Sequence, residues 1–390
     1  MAQRFGPHFP RLFTAALLEG MSFSLLFHFP GYLTDLGATE GLIGLLYSTA
    51  AVVALIARPG LGRILDLTHR RTVILYSGAA NALVMAALIT TDSWGPYLWA
   101  LFLGQRVLQV VLFTTFLTYA ADLIPVERRT QGLAIFGLSG LFPIAIGGYL
   151  GDVVVDLFGF GGLFVFAAGA LAVSWLIVWT LPVLPILSLQ PRRGFWAALS
   201  EPSLLPLWLV ILMFSIGLEA LFTFTRTYVD ATGVGTAGLF FGVYGLSAAS
   251  TRIFGGSRYD RLPHRTLVVV AVSLYGVGLG LMAAADTVWA LVAAAALSGS
   301  AHGAVFPILS SQVVNRTRVS ERGSAMATFT SIFDIAALMG TPVVGLLIER
   351  TGYLGAFSTA GVVVVLGAAA YGLWDRRLPY STQLAEELSQ

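Results

Sequence analysis

The chain has 390 residues, of which 57% are hydrophobic and 11% are charged, and its formal net charge is +2. Soluble globular proteins carry about 25% charged residues, so this composition excludes a large soluble protein and predicts one embedded in a membrane. The absence of cysteine excludes disulfides and thiolate chemistry.

Twelve apolar stretches are long enough to cross a bilayer, which needs about 20 residues per helix. The first is too long for the apolar core of a signal peptide, so we interpret it as a retained span. The sequence therefore predicts an all-α membrane protein with twelve transmembrane helices. In chain order the stretches are 12–34, 41–61, 72–91, 96–120, 131–153, 160–182, 203–227, 236–256, 266–286, 289–312, 325–347 and 353–374.

Arginine placement predicts the orientation of these helices. With the N-terminus in the cytoplasm, 19 of the 22 basic residues fall at cytoplasmic ends and loops, and only Arg106, Arg226 and Arg350 fall elsewhere. Positive residues are enriched on the cytoplasmic side of membrane proteins. We therefore expect both termini in the cytoplasm and a multi-pass protein of the bacterial inner membrane.

An internal repeat divides the chain into two similar halves. A shift of 194 residues places Arg58 on Arg252 and Asp66 on Asp260. Parallel repeats of this kind relate two halves about an axis along the membrane normal, with a site between them. The predicted domains are an N-terminal six-helix bundle (1–183), a cytoplasmic linker (184–202), a C-terminal six-helix bundle (203–377) and a cytoplasmic tail (378–390).

The charged loop that follows the second stretch, Gly62 to Arg71, reads Gly-Arg-Ile-Leu-Asp-Leu-Thr-His-Arg-Arg. It resembles the signature Gly-x-Leu-x-Asp-Arg/Lys-x-Gly-Arg-Arg/Lys of the major facilitator superfamily, from which Leu67 and His69 depart. The resemblance covers the whole chain and implies two pseudo-symmetric bundles that rock about a central cavity lined by spans 1, 4, 7 and 10.

Other segments resemble motifs of particular groups within this superfamily. Arg106-Val107-Leu108-Gln109 is similar to the Arg-x-x-Gln-Gly motif of proton-coupled members, and 140–148 loosely resembles an antiporter motif. The segment 323–342 resembles bacterial drug and metallophore exporters. These resemblances imply proton-coupled export.

The charged loops are predicted to form a cytoplasmic gate, since paired charges there would hold the halves together and release them on rocking. The alternative is that these arginines only enforce topology. The predicted gate residues are Arg58, Gly62, Asp66, Arg70, Arg71, Glu127, Arg128, Gly256, Asp260, Arg261, Arg265, Glu321 and Arg322.

Four ionisable residues lie well inside predicted spans, where a charge is costly and is a functional candidate by default. Glu19, Arg106, Glu219 and Asp334 are therefore predicted to couple protons to transport, with Glu19 and Arg106 as partners. A fixed pair that only locks helix packing is the alternative. Helical spacing on the same faces predicts cavity residues Phe23, His28, Gln105, Gln109, Phe113, Phe222, Arg226, His302 and Phe306.

These features predict a secondary active transporter that exports a small amphipathic molecule, such as a drug or siderophore, in exchange for protons. Uptake of a sugar or organic acid by proton symport is an alternative, as is a non-transporting assembly factor or receptor. The sequence has no convincing catalytic cluster, so we expect no enzyme activity, metal or cofactor. The expected partners are the substrate, protons and the lipid bilayer, without nucleic acid, and the expected state is a monomer.

Overall fold

The computed structural model describes residues 6–125, 129–185, 198–259, 263–317 and 322–376. Within these ranges, the side chains of residues 59, 62, 63, 65, 66, 129–131, 134, 256–259, 322 and 323 are not described. All the regular structure in the described residues is helical.

Long helices make up almost all of the described chain. They are α1 (Phe9–Leu25), α2 (Phe29–Asp35), α3 (Glu40–Leu67), α4 (Arg70–Ala87), α5 (Pro96–Leu123), α6 (Arg129–Phe136), α7 (Leu138–Trp179), α8 (Leu205–Thr232), α9 (Ala237–Tyr259), α10 (His264–Ala283), α11 (Val288–Asn315) and α12 (Arg322–Asp375). A single 3₁₀ turn, Leu26–His28, joins α1 to α2.

Among the described residues, nine helical stretches are long and apolar enough to cross a membrane by length and composition. Many of their large apolar side chains face outward instead of into a core. Ile56, Tyr76, Leu83, Phe254 and Trp289 are between 71% and 81% exposed. Such a surface suits a hydrocarbon environment and would be unfavourable in water.

Helices α7 and α12 each fold back on themselves at a glycine. Gly159 has φ 65° and Gly352 has φ 70°, a backbone region that side chains with a Cβ rarely adopt. Contacts with α1 show the reversal in α7, since Gly147 lies beside Ser24 whereas Ser174 donates to the Ala15 carbonyl. The breaks coincide with the gaps predicted between 153 and 160 and between 347 and 353.

The predicted repeat is visible in the element boundaries. Helix α4 begins at Arg70 and α10 at His264, which are 194 residues apart, and the two reversal glycines are 193 residues apart. We call residues 6–185 the first half and residues 198–376 the second half.

The helix directions define two sides of the molecule. The terminal side is the side on which α1 begins and α12 ends, and the far side is the side on which α2 ends and α3 begins. The halves meet along two seams, one between α3 and α12 and the other between α7 and α9.

Candidate functional site

A small cavity of about 60 Å³ lies between the two halves. Half of its lining residues are aromatic. The rings of Phe27 and Phe222 stack with centroids 4.9 Å apart, and Phe27 also packs against Phe241 at 4.6 Å. Pockets for drug-sized ligands hold about 300–1,000 Å³, so a ligand of that size requires the halves to separate. The lining residues are Phe23, Leu26, Phe27, Tyr47, Phe102, Gln105, Arg106, Glu219, Phe222 and Thr223.

Two polar side chains in this wall have no hydrogen-bond partner among the described residues. Gln105 is fully buried, and both its amide oxygen and its amide nitrogen are unpaired. The hydroxyl of Thr223, which is 1% exposed, is also unpaired. Buried polar groups without partners are costly, and their placement on a cavity wall indicates that a ligand or water completes them.

The cavity carries one charge from each half. Arg106 of α5 lies 6.0 Å from the ring centroids of Phe23 and Tyr47, a distance suited to cation–π attraction. Glu219 of α8 lines the same space, and the charges that act on it are those of Arg106 and Asp334. The cavity can therefore present both a cation and an acid to a ligand.

Glu19 of α1 lies beside this cavity but not on its wall. It is 5% exposed, and its Oε1 accepts a hydrogen bond of 2.6 Å from Gln109 Nε2. The predicted pairing of Glu19 with Arg106 is wrong, because the carboxylate accepts a hydrogen bond from Gln109, three residues further along α5, instead. Glu19 has no cationic partner among the described residues.

On the far side, a polar cluster joins the halves above the cavity. Arg226 Nη1 lies 3.1 Å from His28 Nδ1 and 3.4 Å from Asp152 Oδ1, while Arg226 Nε donates to Asp230 at 2.8 Å. The other oxygen of Asp152 accepts from the Gly238 backbone at 2.7 Å. We call His28, Asp152, Arg226 and Asp230 the latch.

The α3–α12 seam is bonded along most of its length. Tyr353 donates to Glu40, Gly41 N to Glu349, the Thr341 hydroxyl to the Gly44 carbonyl, and Ser48 to the Leu338 carbonyl, at 2.8 to 3.0 Å. Nearer the terminal side, Arg58 Nε donates to Asp334 Oδ2, and both Nη atoms donate to Thr330 at 3.2 Å.

At the terminal side, the described hydrogen bonds remain within one half. Arg70 pairs with Asp122 at 3.2 Å, and Arg71 donates to the carbonyls of Val178 and Trp179. In the second half, Arg316 pairs with Asp375 at 2.7 Å. The described hydrogen bonds that join the two halves lie on the far side and in the seams.

The Major Facilitator Superfamily model matches this chain over residues 12–274 and 231–389, which together span nearly all of it. The chain belongs to the major facilitator superfamily. It is accordingly a multi-pass membrane transporter, and the resemblance seen in its loops is confirmed.

Relatives and solved structures of this superfamily match along almost their full length. An uncharacterized MFS-type transporter of Salmonella typhimurium is 28% identical over 360 residues, covering 88% of this chain and 89% of that protein. The purine ribonucleoside efflux pump NepI of the same organism is 24% identical over 357 residues, covering 89% and 88%. A mutant of the nucleoside transporter NupG has a similar fold, with a TM-score of 0.77 at 14% identity over 94% and 99% of the chains.

The superfamily fold places some predicted cavity residues on the cavity wall and others elsewhere. Phe23, Gln105 and Phe222 line the cavity, as do Arg106 and Glu219, which were predicted for proton coupling. His28 and Arg226 lie in the latch instead, because they sit near the far ends of their helices. Phe113 is 50% exposed, His302 bonds to Tyr244 at 2.7 Å, and Phe306 packs on Phe329, so these three lie away from the wall.

The predicted gate is only partly described. Arg58 does join the halves, and its partner is Asp334, which was assigned to proton coupling. The described bonds of Arg70, to Asp122, and of Arg71, to the carbonyls of Val178 and Trp179, lie within the first half. Arg265 is exposed. The remaining predicted gate side chains, of Gly62, Asp66, Glu127, Arg128, Gly256, Asp260, Arg261, Glu321 and Arg322, lie outside the described part.

Several site residues were not identified from the sequence, among them Asp152 of the latch and Tyr47 and Thr223 of the cavity wall. Asp152 lies at the predicted end of the fifth span, where acids are ordinary, and its role depends on Arg226 and Gly238 of the other half. Tyr47 and Thr223 are single aromatic and hydroxyl residues without a motif. The available signal for Thr223 was its helical spacing, four residues after Glu219 on α8.

Proposed function

We propose that this transporter is an exporter of a small amphipathic molecule, driven by proton antiport and working by alternating access. The observation that carries the proposal is the central cavity between the halves, which contains Arg106 and Glu219, lies beside Glu19 and is closed on the far side by the latch. A site that both halves share is changed by their relative movement, which is what alternating access requires.

The topology we propose has twelve spans with both termini in the cytoplasm. Three features of the described chain support the count: nine candidate spans, the reversals at Gly159 and Gly352 that divide two of them, and the additional helix α9. The concentration of arginine on the terminal side supports the orientation. We propose the bacterial inner membrane as the location and a monomer as the working unit.

Glu19 is our leading proton site. It is buried in α1, and its only described partner is the neutral side chain of Gln109. Proton binding would remove an isolated charge from the membrane interior and so favour movement of the first half. Ionisable side chains placed in this way mark proton pathways in other transporters.

The cavity wall supports an uncharged heteroaromatic substrate with a polar edge. Stacked phenylalanines suit a flat ring, and the unpaired amide of Gln105 offers one donor and one acceptor side by side. A purine nucleoside has both properties, and NepI, to which this chain is 24% identical, is named a purine ribonucleoside efflux pump. We therefore propose a nucleoside-like substrate.

Transport by purified protein in liposomes tests the coupling. Glu19→Gln is expected to abolish movement of a radiolabelled purine ribonucleoside driven by a pH gradient, while exchange without a gradient continues. Asp92→Asn, which changes an exposed acid outside the helices, is the matched control. Full gradient-driven transport by Glu19→Gln would contradict Glu19 as the proton site, and gradient-driven uptake toward the terminal side would contradict export.

Binding measurements test the substrate class. Gln105→Met keeps the side-chain volume but removes the amide, so it should weaken nucleoside binding by about tenfold, the value of a hydrogen-bonding pair in a buried site. Thermal stabilisation of the purified protein by nucleosides provides the measurement. Equal stabilisation of the parent and the variant would exclude a role for Gln105 in recognition.

A further inference from the structure

The latch contains a histidine whose hydrogen-bonding role the geometry defines. His28 is fully buried, and its Nε2 lies 3.0 Å from the carbonyl oxygen of Gly148. A carbonyl only accepts, so Nε2 must carry the hydrogen. In neutral His28 the other nitrogen, Nδ1, is then an acceptor, and it receives a hydrogen bond from Arg226 Nη1 at 3.1 Å.

The ring has little freedom to choose other partners. A Cβ on Gly151 would lie 2.2 Å from two ring atoms of His28, so the imidazole rests directly on the backbone of α7. Among the described residues, the charged groups close to its Nδ1 are Arg226 at 3.1 Å and Asp152 Oδ1 at 3.6 Å. Asp230, bonded to the same arginine, is the remaining charge that acts on it.

A proton on Nδ1 would weaken the bonds between the halves and favour a bond inside the first half. Imidazolium has donors on both nitrogens, so Nδ1 would face the Arg226 guanidinium as a second cation, and Asp152, at 3.6 Å, would be the nearby acceptor for its hydrogen. His28 and Asp152 belong to the first half, whereas Arg226 belongs to the second. One proton therefore replaces the bonds of Arg226 to the first half with a bond inside the first half, and the bond from Gly238 N to Asp152 remains between the halves.

The released arginine keeps a partner in its own half. Arg226 already donates to Asp230 four residues further along α8 at 2.8 Å, so it is not left unpaired when it loses Asp152 and His28. Asp230 is 44% exposed, which brings the edge of the cluster to the far-side solvent. A proton from that side reaches the latch without crossing the central cavity.

We propose that His28 is a second proton-binding site, which opens the far side of the transporter when it is protonated from that side. The proposal builds on the proposed function, in which protons enter from the far side as substrate leaves. It gives the chain a proton site that is spatially separate from Glu19. Protonation of Glu19 would change the charge beside the cavity, whereas protonation of His28 would open the latch on the far side.

Distance measurements between spin labels test the latch directly, and the natural absence of cysteine makes labelling specific. Labels on Ser93→Cys and Ala231→Cys report the separation of the halves at exposed far-side positions. In full-length protein in lipid nanodiscs, the ratio of long to short distances should rise by about tenfold as the pH falls from about 8 to about 5.

Substitution of His28 provides the decisive comparison. In His28→Gln the amide can donate to Gly148 and accept from Arg226 but cannot bind a proton at these pH values, so the short distance should persist at every pH. His69→Gln, which alters an exposed histidine on the terminal side, should respond as the parent does. Asp152→Asn, which weakens the pairing with Arg226 at every pH, should favour the long distance already at pH about 8.

The outcomes separate this proposal from the proposed function. A pH response that is absent in the parent, or unchanged in His28→Gln, overturns the proton site in the latch even if Glu19→Gln abolishes coupled transport. A response that His28→Gln removes supports the latch even if no pH-driven transport is found. An Asp152→Asn protein with the parent's distances would also overturn it, since the mechanism requires Asp152 to change partners.

Discussion

The two seams between the halves are built from corresponding helices but are joined differently. Along the α3–α12 seam, hydrogen bonds run from Glu40 at the far side to Arg58, about two thirds of the way down α3. Along the α7–α9 seam, the described hydrogen bond lies at the far end, between Gly238 and Asp152. Below it the contact is close packing, with Gly245 against Ala145.

The repeated arginines show the same difference. Arg58 pairs with Asp334 across its seam, whereas the Nε of its counterpart Arg252 is buried without a hydrogen-bond partner in the described chain. Its guanidinium instead lies 5.7 Å from the ring of Phe306 in its own half. The position that corresponds to Asp334 is Gly140, which has no acid to offer.

The comparison shows that the repeat gives both seams corresponding helices. Individual residues that differ between the repeats, such as Asp334 and Gly140, decide which bonds each seam forms. Both seams close the far side, and among the described residues a charge pair nearer the terminal side, Arg58 with Asp334, is seen in the α3–α12 seam.

The largest effect is expected from breaking the ion pair between Arg58 and Asp334. Asp334→Asn leaves Arg58 without its anion, which should cost the closed far side about 2 kcal/mol, or about 30-fold in the ratio of closed to open molecules. Distances between labels at Ser93 and Ala231 measure that ratio. Asp92→Asn should leave this ratio unchanged. An Asp334→Asn protein with the wild-type distances would contradict the claim that the Arg58–Asp334 pair stabilises the closed far side.

A smaller effect is expected from a methyl group placed in the packed seam. A Cβ at Gly245 would lie 2.5 Å from the backbone nitrogen of Ala145, so Gly245→Ala should push α7 and α9 apart at a cost of about 1–2 kcal/mol. Gly140→Ala is the matched control, because the space around Gly140 is open. Thermal unfolding followed by tryptophan fluorescence compares them, and equal midpoints would mean that the seam is not closely packed at Gly245.

The smallest effect is expected from giving the second seam the missing acid. The register of Gly238 with Asp152 and Gly245 with Ala145 continues toward Arg252 opposite 138–141. Gly140→Asp should therefore pair with Arg252 and stabilise the closed state by about 1 kcal/mol or less. The gain should disappear when Arg252→Gln is added, and a gain that survives this change would have another origin.

Much of the frame was predictable because it depends on local pattern. The twelve apolar stretches anticipated the helices within a few residues, including the gaps at Gly159 and Gly352, since a run of apolar residues and an interrupting glycine are both readable in the chain. The offset of 194 residues likewise anticipated that the starts of α4 and α10 correspond.

Partnerships between helices were less predictable for a geometric reason. Helical spacing gives the face on which Glu19 and Arg106 lie but not how far along its axis each helix is placed. A shift of about one turn along α5 puts Gln109 instead of Arg106 beside Glu19. The latch depends on residues that are 74 and 198 positions apart, and no local pattern joins them. Arg58 and Asp334 were both identified, but not as partners.

The most direct test of the account is a covalent lock across the far side. Gly41→Cys with Glu349→Cys places two thiols where a backbone amide now bonds to a carboxylate at 3.0 Å, in a chain that has no other cysteine. Cross-linking with a short thiol reagent is predicted to stop transport in liposomes while nucleoside binding from the terminal side persists, and cleavage of the cross-link should restore transport. A cross-linked protein that transports at the rate of its single-cysteine controls would contradict the claim that the far side must open.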